Sequence, residues 1–438
     1  MAKPISGFSK CSKDQKIEWL AAHYFDDARQ GSEVLKQYWN DDKRLQKLHD
    51  EFIENAVTNY YLPLGIAPNF LINDRLYALP MAIEESSVVA AASNAAKFWL
   101  DKGGFKTKVV NTVKNGQVHF NFDGPAQLLQ AFFDANKALL IDDTKSLTAS
   151  MERRGGGILS LELIEQTAFL EDYYQINVRF ETKDAMGANF INSCLEQIAT
   201  SLQREAAAYK PFIENNHNLS VVMSILSNYV PECIATATVS CPVSQLATAA
   251  ITGEQFAAKF MRAIDIANAS VQRAVTHNKG IMNGIDAVVL ATGNDFRAVE
   301  AGVHAFASKS GRYKSVTHAK VENGIFSFWI EVPLALGTVG GLTKLHPLVK
   351  LNLEILKNPT AAQLMQLIAT AGLAQNFAAI RSLITTGIQQ GHMKMHLKNI
   401  LNQLEATESE KEAAIAHFSN TAVTHAAAKE FILTYRNP

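Results

Sequence analysis

The chain has 438 residues, 47% hydrophobic and 19% charged, with a formal net charge of −1. These values suit a globular protein of about two or three domains and exclude a global field that would draw nucleic acid or an anionic membrane. The opening MAKPISGFSKCSKDQK is too polar for a secretory leader, and no uninterrupted apolar stretch reaches the roughly 18 residues of a membrane helix. Cys11, Cys194, Cys233 and Cys241 show no CxxC spacing, which argues against a zinc site or a disulfide framework. The expected compartment is the cytosol.

In chain order, residues 13–60 read as polar helices with Trp19, Leu20, Leu35, Trp39, Leu45 and Leu48 as apolar anchors. Pro63, Gly65 and Pro68 break the next stretch, and Asn73-Asp74 predicts a turn between short strands. Ser86 or Ser87 is placed to cap the Ala-rich helix that follows, leaving Glu84 and Glu85 just ahead of its N-terminus. Asn115-Gly116, between two β-prone runs, predicts a hairpin. YYQINVRFE (173–181) alternates as a half-buried strand does. A helix follows from near Gly187, with Phe190, Ile191, Cys194, Leu195, Ile198 and Leu202 on one face. Together these predict a small α+β domain at about 108–220. After residue 230 the chain is Ala-rich and helical, with a second hairpin at Asn323-Gly324 and a glycine loop at 337–347. The last part reads as at least two helices interrupted around Gly387 to Gly391, and the mixed run ESEKEAA as a helix surface.

Four segments could carry chemistry. DAMGAN (184–189) joins a strand to a helix, so it is either a pyrophosphate site at a helix N-terminus or a glycine turn that packs helix on strand. It is not a GxGxxG fingerprint. HNKGIMNGIDAVVLATGND (277–295) reads as two Asn-containing turns around the apolar run Ala287 to Ala291, with Lys279 and Asp295 at its ends. Lys279 is then a solvent-facing lysine or a cation aimed into a cleft, and Asp295 a helix N-cap or its partner. Glu85 ahead of a helix is stabilising there whatever its role. His392 and His396 stand four apart, but without the HExxH glutamate they make a poor metal pair.

In combination, EESSVVAAAS, DAMGAN, HNKGIMNGIDAVVLATGNDFRAVEAG and GIQQGHMKMH, in that order, closely resemble class II (bacterial-type) 3-hydroxy-3-methylglutaryl-CoA reductases. The resemblance runs from about residue 53 through the C-terminal helices. It implies an α+β fold: a large, mostly helical domain (1–107 and 221–376) for substrate, CoA and dimerisation, an inserted small ferredoxin-like nucleotide-binding domain (108–220), and a C-terminal helical flap (377–438).

The resemblance also implies an activity: two hydride transfers from NAD(P)H that convert HMG-CoA to mevalonate and free CoA, with Glu85, Lys279, Asp295 and His392 as the catalytic set. Lys279 would stabilise the oxyanion, with Asp295 within hydrogen-bonding range of it and linking it to Glu85. His392 would protonate the departing CoA thiolate, and Glu85 the aldehyde oxygen. Ser87, Arg273, Thr276 and Asn283 would bind substrate, Arg273 gripping the free carboxylate; Ser86 stands where the family more usually has proline. Asp184, Met186, Gly187 and Asn189 would bind the dinucleotide, with Asn228 as a further candidate. Arg153 and Arg154 in SMERRGGG could receive a 2′-phosphate, favouring NADPH over NADH. The family works as a homodimer with the active site at the interface; whether dimers assemble into hexamers is open, as is the metabolic direction. Partners are HMG-CoA, mevalonate and CoA, with no metal, nucleic acid or membrane. Rival readings are another NAD(P)-dependent acyl-CoA thioester reductase, or a non-catalytic CoA- or nucleotide-binding protein on the same scaffold. A thiolase-like transferase would need a nucleophilic cysteine, and no Cys sits in a motif for one.

Overall fold

The computed structural model describes residues 4–249, 251–385, 397–418 and 423–436. The chain divides into two compact units, Met1–Pro63 and Leu64–Pro438. The first holds helices Lys13–Tyr24, Ala28–Gln37 and Lys43–Asp50, capped by Ser12, Asp27 and Asp42. Its sequence anchors are half-buried, while Ile17 is fully buried. Trp39 Nε1 donates to Val57 O at 2.9 Å, and the Lys13 ammonium lies 3.9 Å from the centre of the Trp39 ring.

The second unit opens with the antiparallel pair β1 (Leu64–Ile72) and β2 (Arg75–Ala82). They are joined at Asn73 and Asp74, whose φ values of 47° and 65° are those of a primed turn. A four-stranded antiparallel sheet has the order β3 (Lys106–Val109), β8 (Ile234–Pro242), β10 (Ile325–Pro333), β9 (Thr317–Glu322). The hairpin expected at Asn323-Gly324 is present, with φ of 51° and 74°. One core joins this sheet to the helices Val88–Leu100, Gly253–Ala269, Val271–Ala291 and Ala361–Ile384.

A second core belongs to the sheet β5 (Gly157–Glu165), β6 (Tyr173–Glu181), β4 (Lys114–Phe122), β7 (Leu219–Leu226). Helices Ala126–Asp142 and Ala188–Ala208 pack on it. In chain order this is β-α-β-β-α-β, the ferredoxin-like topology. Its last strand runs to Leu226, and the helix Ala361–Ile384 continues past residue 377. A third cluster, around Leu401, Ala414, Ala428 and Ile432, holds the C-terminal helices Glu408–His417 and His425–Arg436 together. There Glu410 is buried and its carboxylate accepts from Arg436, so ESEKEAA is only partly surface.

Three local expectations are overturned. Asn115 and Gly116 lie inside the continuous strand β4. A Cβ on Gly116 would stand 2.6 Å from Leu195 Cδ1 and 2.9 Å from Leu226 Cα, so the glycine admits a helix and a neighbouring strand instead of making a turn. Neither Ser86 nor Ser87 caps the Val88–Leu100 helix: Ser87 holds the N-cap position at φ 75° with no side-chain hydrogen bond to the helix. Finally, the Gly- and Asn-rich HNKGIMNGID makes no turns. It belongs to the unbroken helix Val271–Ala291, in which His277 and Asn278 are buried.

That helix crosses Ala361–Ile384 at close range. A Cβ on Gly284 would stand 2.5 Å from Ala371 O, and one on Gly372 would stand 2.8 Å from Ile285 Cγ1. By length and composition the Ala361–Ile384 helix could cross a membrane, but Gln363, Gln366, Gln375, Asn376 and Arg381 interrupt its apolar run and 67% of its most apolar window is buried inside the fold. Gly284→Ala should therefore cost about 1–3 kcal/mol, because backbone must move. Gly280→Ala, with nothing within 4 Å of the added carbon, should be neutral or stabilising by up to about 1 kcal/mol. Urea midpoints of the two variants check this, and equal shifts would contradict the packing account.

Candidate active site

Lys279 lies midway along the Val271–Ala291 helix, and its Nζ donates to Glu85 Oε2 at 2.7 Å. The two positions lie 194 apart in sequence, so nothing local hints at this pair. Glu85 is half-buried whereas Glu84 is exposed, so the structure itself separates the two carboxylates. The side chains of Lys279 and Glu85 remain 59% and 38% exposed, leaving the pair open to a ligand. Arg273, Thr276, Lys279, Gly280 and Asn283 share one helix face by their three- and four-residue spacing. Burial lowers the pKa of Arg273 from its usual value. Ser87, two residues after Glu85, keeps a left-handed backbone that costs a non-glycine residue roughly 1 kcal/mol or more.

Asp295 is the N-cap of the helix Phe296–Ala307, accepting from the N–H groups of Arg297 and Ala298. Burial works against its charge. The Arg297 guanidinium, ion-paired at 3.1 Å, and those N–H groups outweigh it and hold the carboxyl below its usual range. No ion pair within 4.0 Å joins Asp295 to Lys279, contrary to the sequence expectation. The reason is the helix: the twelve residue steps from Lys279 to Ala291 span about 18 Å. His392 and His396 lie outside the described residues, as do Gly387 and Gly391. Among the described residues, no cluster of His, Cys, Asp and Glu could hold a metal ion.

The DAMGAN turn follows β6, and Gly187, at φ 92°, is the N-cap of Ala188–Ala208. It supplies no side-chain cap, and among the described residues no hydrogen bond occupies the first-turn amides of Ala188, Asn189 and Phe190, the kind of helix start that suits an anion. A Cβ on Gly187 would stand 2.6 Å from Thr182 Cγ2; both the turn's own packing and its φ demand glycine. Met186 and Asn228 line one cleft with Lys114, Ile191, Val299 and Gly302. The Asp184 carboxylate is directed elsewhere: Oδ1 accepts from Ala361 N at 2.8 Å. Arg153 and Arg154 are both exposed in the turn before β5. Lys183 joins them, since a Cβ on Gly155 would meet its Cε at 3.4 Å.

Three residues passed over in the sequence matter here. Lys114 is buried, and its ammonium donates to Thr182 Oγ1 at 2.6 Å and to Ala185 O at 3.3 Å, beneath the turn. Burial lowers its pKa against the opposing pull of Cys233, Glu181 and Asp184. Its signal was the alternation of β4, which places Lys114 on the inward face with Val118, Phe120 and Phe122. Asn294 Oδ1 accepts from Gly337 N at 2.8 Å, beside Asp295. Asp286 lies two turns beyond Lys279, and burial, reinforced by Glu300, raises its carboxyl well above the usual range.

The family model described as Hydroxymethylglutaryl-coenzyme A reductase matches residues 14–397. The chain belongs to the hydroxymethylglutaryl-CoA reductase family. The 3-hydroxy-3-methylglutaryl-coenzyme A reductase of Archaeoglobus fulgidus is 37% identical over 421 residues, covering 95% of this chain and 90% of that protein. A probable 3-hydroxy-3-methylglutaryl-coenzyme A reductase of Borreliella burgdorferi is 35% identical over 82% of this chain and 80% of its own length. Among solved structures, the Streptococcus pneumoniae reductase superposes with TM-score 0.73 at 34% identity, covering 98% of this chain and 100% of that one. A Streptococcus pneumoniae class II reductase bound to NADPH in open conformations gives TM-score 0.71 at 35% identity, covering 87% and 100%. Members of this reductase family are NAD(P)H-dependent oxidoreductases, and the α+β fold seen here is theirs.

Asp286 gives a test of the electrostatics beside the site. An acid whose pKa is raised by folding keeps a proton that the unfolded chain releases, so stability falls as pH rises above the ordinary 3.8. The slope approaches about 1.4 kcal/mol per pH unit until the folded pKa is passed. Asp286→Asn should flatten the loss of stability between about pH 5 and about pH 7. Parallel stability profiles for the variant and the wild type would contradict this.

Proposed function

We propose that the chain reduces HMG-CoA to mevalonate and free CoA, using Glu85, Lys279, Asp295 and His392 as its catalytic set. The observation that carries the reading is the 2.7 Å Lys279–Glu85 pair on a substrate-accessible helix face. NAD(P)H supplies the hydride in each of the two reductions. Lys279 places an ammonium where negative charge develops on the carbonyl oxygen, which is worth most once the cleft is closed to water. Glu85, which accepts from the same ammonium, is assigned the proton for the aldehyde oxygen, a role it fills in its protonated form. His392 is assigned the proton for the CoA thiolate by motif alone. Arg273, with Ser87, Thr276 and Asn283, is assigned the substrate's carboxylate and hydroxyl groups.

The uncapped start of the Ala188–Ala208 helix supports a pyrophosphate at Met186, Gly187 and Asn189. Asn228 is assigned a place beside it, because it lines the same cleft as Met186. Arg153, Arg154 and Lys183 put three cations by Gly155, which favours NADPH. The NADPH bound to the Streptococcus pneumoniae relative is consistent with that preference. Asp295 is assigned to the site of a second copy, because its own chain holds it away from Lys279. Exposed Val339, Leu342, Leu345, Leu348 and Leu351, in the segment that packs on Gly293, support a homodimer through this region. The three cores support a substrate domain, a nucleotide domain and a C-terminal helical domain.

The test follows nicotinamide absorbance with HMG-CoA. The wild type should consume two NADPH per CoA released. Lys279→Ala should lose roughly a hundredfold to a thousandfold in kcat, while its unfolding free energy stays within about 1 kcal/mol because the pair is exposed. No oxidation of either cofactor by wild type, or full activity in Lys279→Ala, would overturn the reading.

A further inference from the structure

The helix Ala361–Ile384 begins with a capping box in which Thr360 Oγ1 accepts from Gln363 N. That leaves the amide of Ala361, the first residue of the helix, without a local acceptor. Asp184 fills the place from 177 residues away, at 2.8 Å. The same residue is held by its backbone, since Asp184 O accepts from Thr338 N at 2.8 Å and Ala185 bridges to Val339. Gly337 completes the seam: a Cβ there would stand 2.4 Å from Met186 N. Gly337 N in turn donates to Asn294, next to Asp295. Underneath, Lys114 and Thr182 both bond Ala185 O.

We propose that Asp184 is a positioning residue that fastens the DAMGAN turn to the N-terminus of the Ala361–Ile384 helix and makes no contact of its own with the dinucleotide. It rests on the cofactor reading above only for its effect on binding. A carboxylate committed to a main-chain amide acts by fixing where the free amides of Ala188 to Phe190 stand relative to Asn294 and Asp295. The requirement is then for an acceptor oxygen, which asparagine also offers; a direct electrostatic role would require the charge.

Asp184→Ala and Asp184→Asn separate the two. For Asp184→Ala, the Kd for NADPH measured by fluorescence titration should rise roughly tenfold, the loss expected for one such hydrogen bond. Its kcat at saturating cofactor should stay within about twofold, and Asp184→Asn should match wild type within about twofold in both. In hydrogen exchange without cofactor, Asp184→Ala should speed exchange across 182–188 and 361–364, and Asp184→Asn should not. Equal loss of affinity in both variants, or unchanged exchange in Asp184→Ala, would overturn the proposal. If wild type bound neither nicotinamide, the cofactor reading would fail, and the exchange comparison would still decide the fastening.

Discussion

A single unbroken helix from Val271 to Ala291 sets the geometry of the site, because it carries Lys279 on one of its faces and delivers Asp295 beyond its far end. It is not free to bend or shift. Gly284 brings it against the Ala361–Ile384 backbone, and Gly372 answers from the other side. Around the crossing, His277 Nε2 bonds Thr317 Oγ1 at 2.7 Å, Thr317 bonds Asn376, and Asn278 donates to Lys314 O. Buried polar groups of this kind cost about 1–3 kcal/mol each when left unpaired, so the network fixes the register of the helix as well as its place. Burial, helped by Arg273, pushes the His277 imidazole down to about 3 and so keeps it neutral in this role.

With the helix fixed, the two halves of the proposed chemistry fall on different supports. The Lys279–Glu85 pair stands on the large core, with Ser87 strained beside it. The candidate cofactor turn stands on the ferredoxin-like sheet and is tied back to the large core through Asp184 and the segment 337–339. Lys114 stiffens that turn from below. The two supports are therefore joined by short links, one main chain to main chain from Thr338 N to Asp184 O and one from Ala361 N to the Asp184 carboxylate.

The turns at Asn73-Asp74 and Asn323-Gly324 were legible because both residues of each adopt positive φ, a local demand that these residue types meet. Asn115-Gly116 offers the same letters for a different reason: Gly116 is there for the space that Leu195 and Leu226 occupy, which no local pattern announces. The same override hid the Val271–Ala291 helix, where Asn278 and Gly284 look like turn residues and serve as core contacts. The N-cap role of Asp295 was readable from capping chemistry, and the helix start near Gly187 from the apolar spacing that follows it. The Lys279–Glu85 pair was not, since it joins positions 194 residues apart, and only the family resemblance brought these residues together before the structure did.

The proposed site spans two copies of the chain, with Lys279 from one and Asp295 from the other. This arrangement is tested most directly by mixing two inactive variants, Lys279→Ala and Asp295→Ala, after separating and reassociating their subunits. In a mixed dimer one site would receive both defects and the other neither. About half of the dimers would be mixed, so activity should recover to about one quarter of wild type. If both residues act within one chain, every site keeps a defect, and the mixture would stay as inactive as its components.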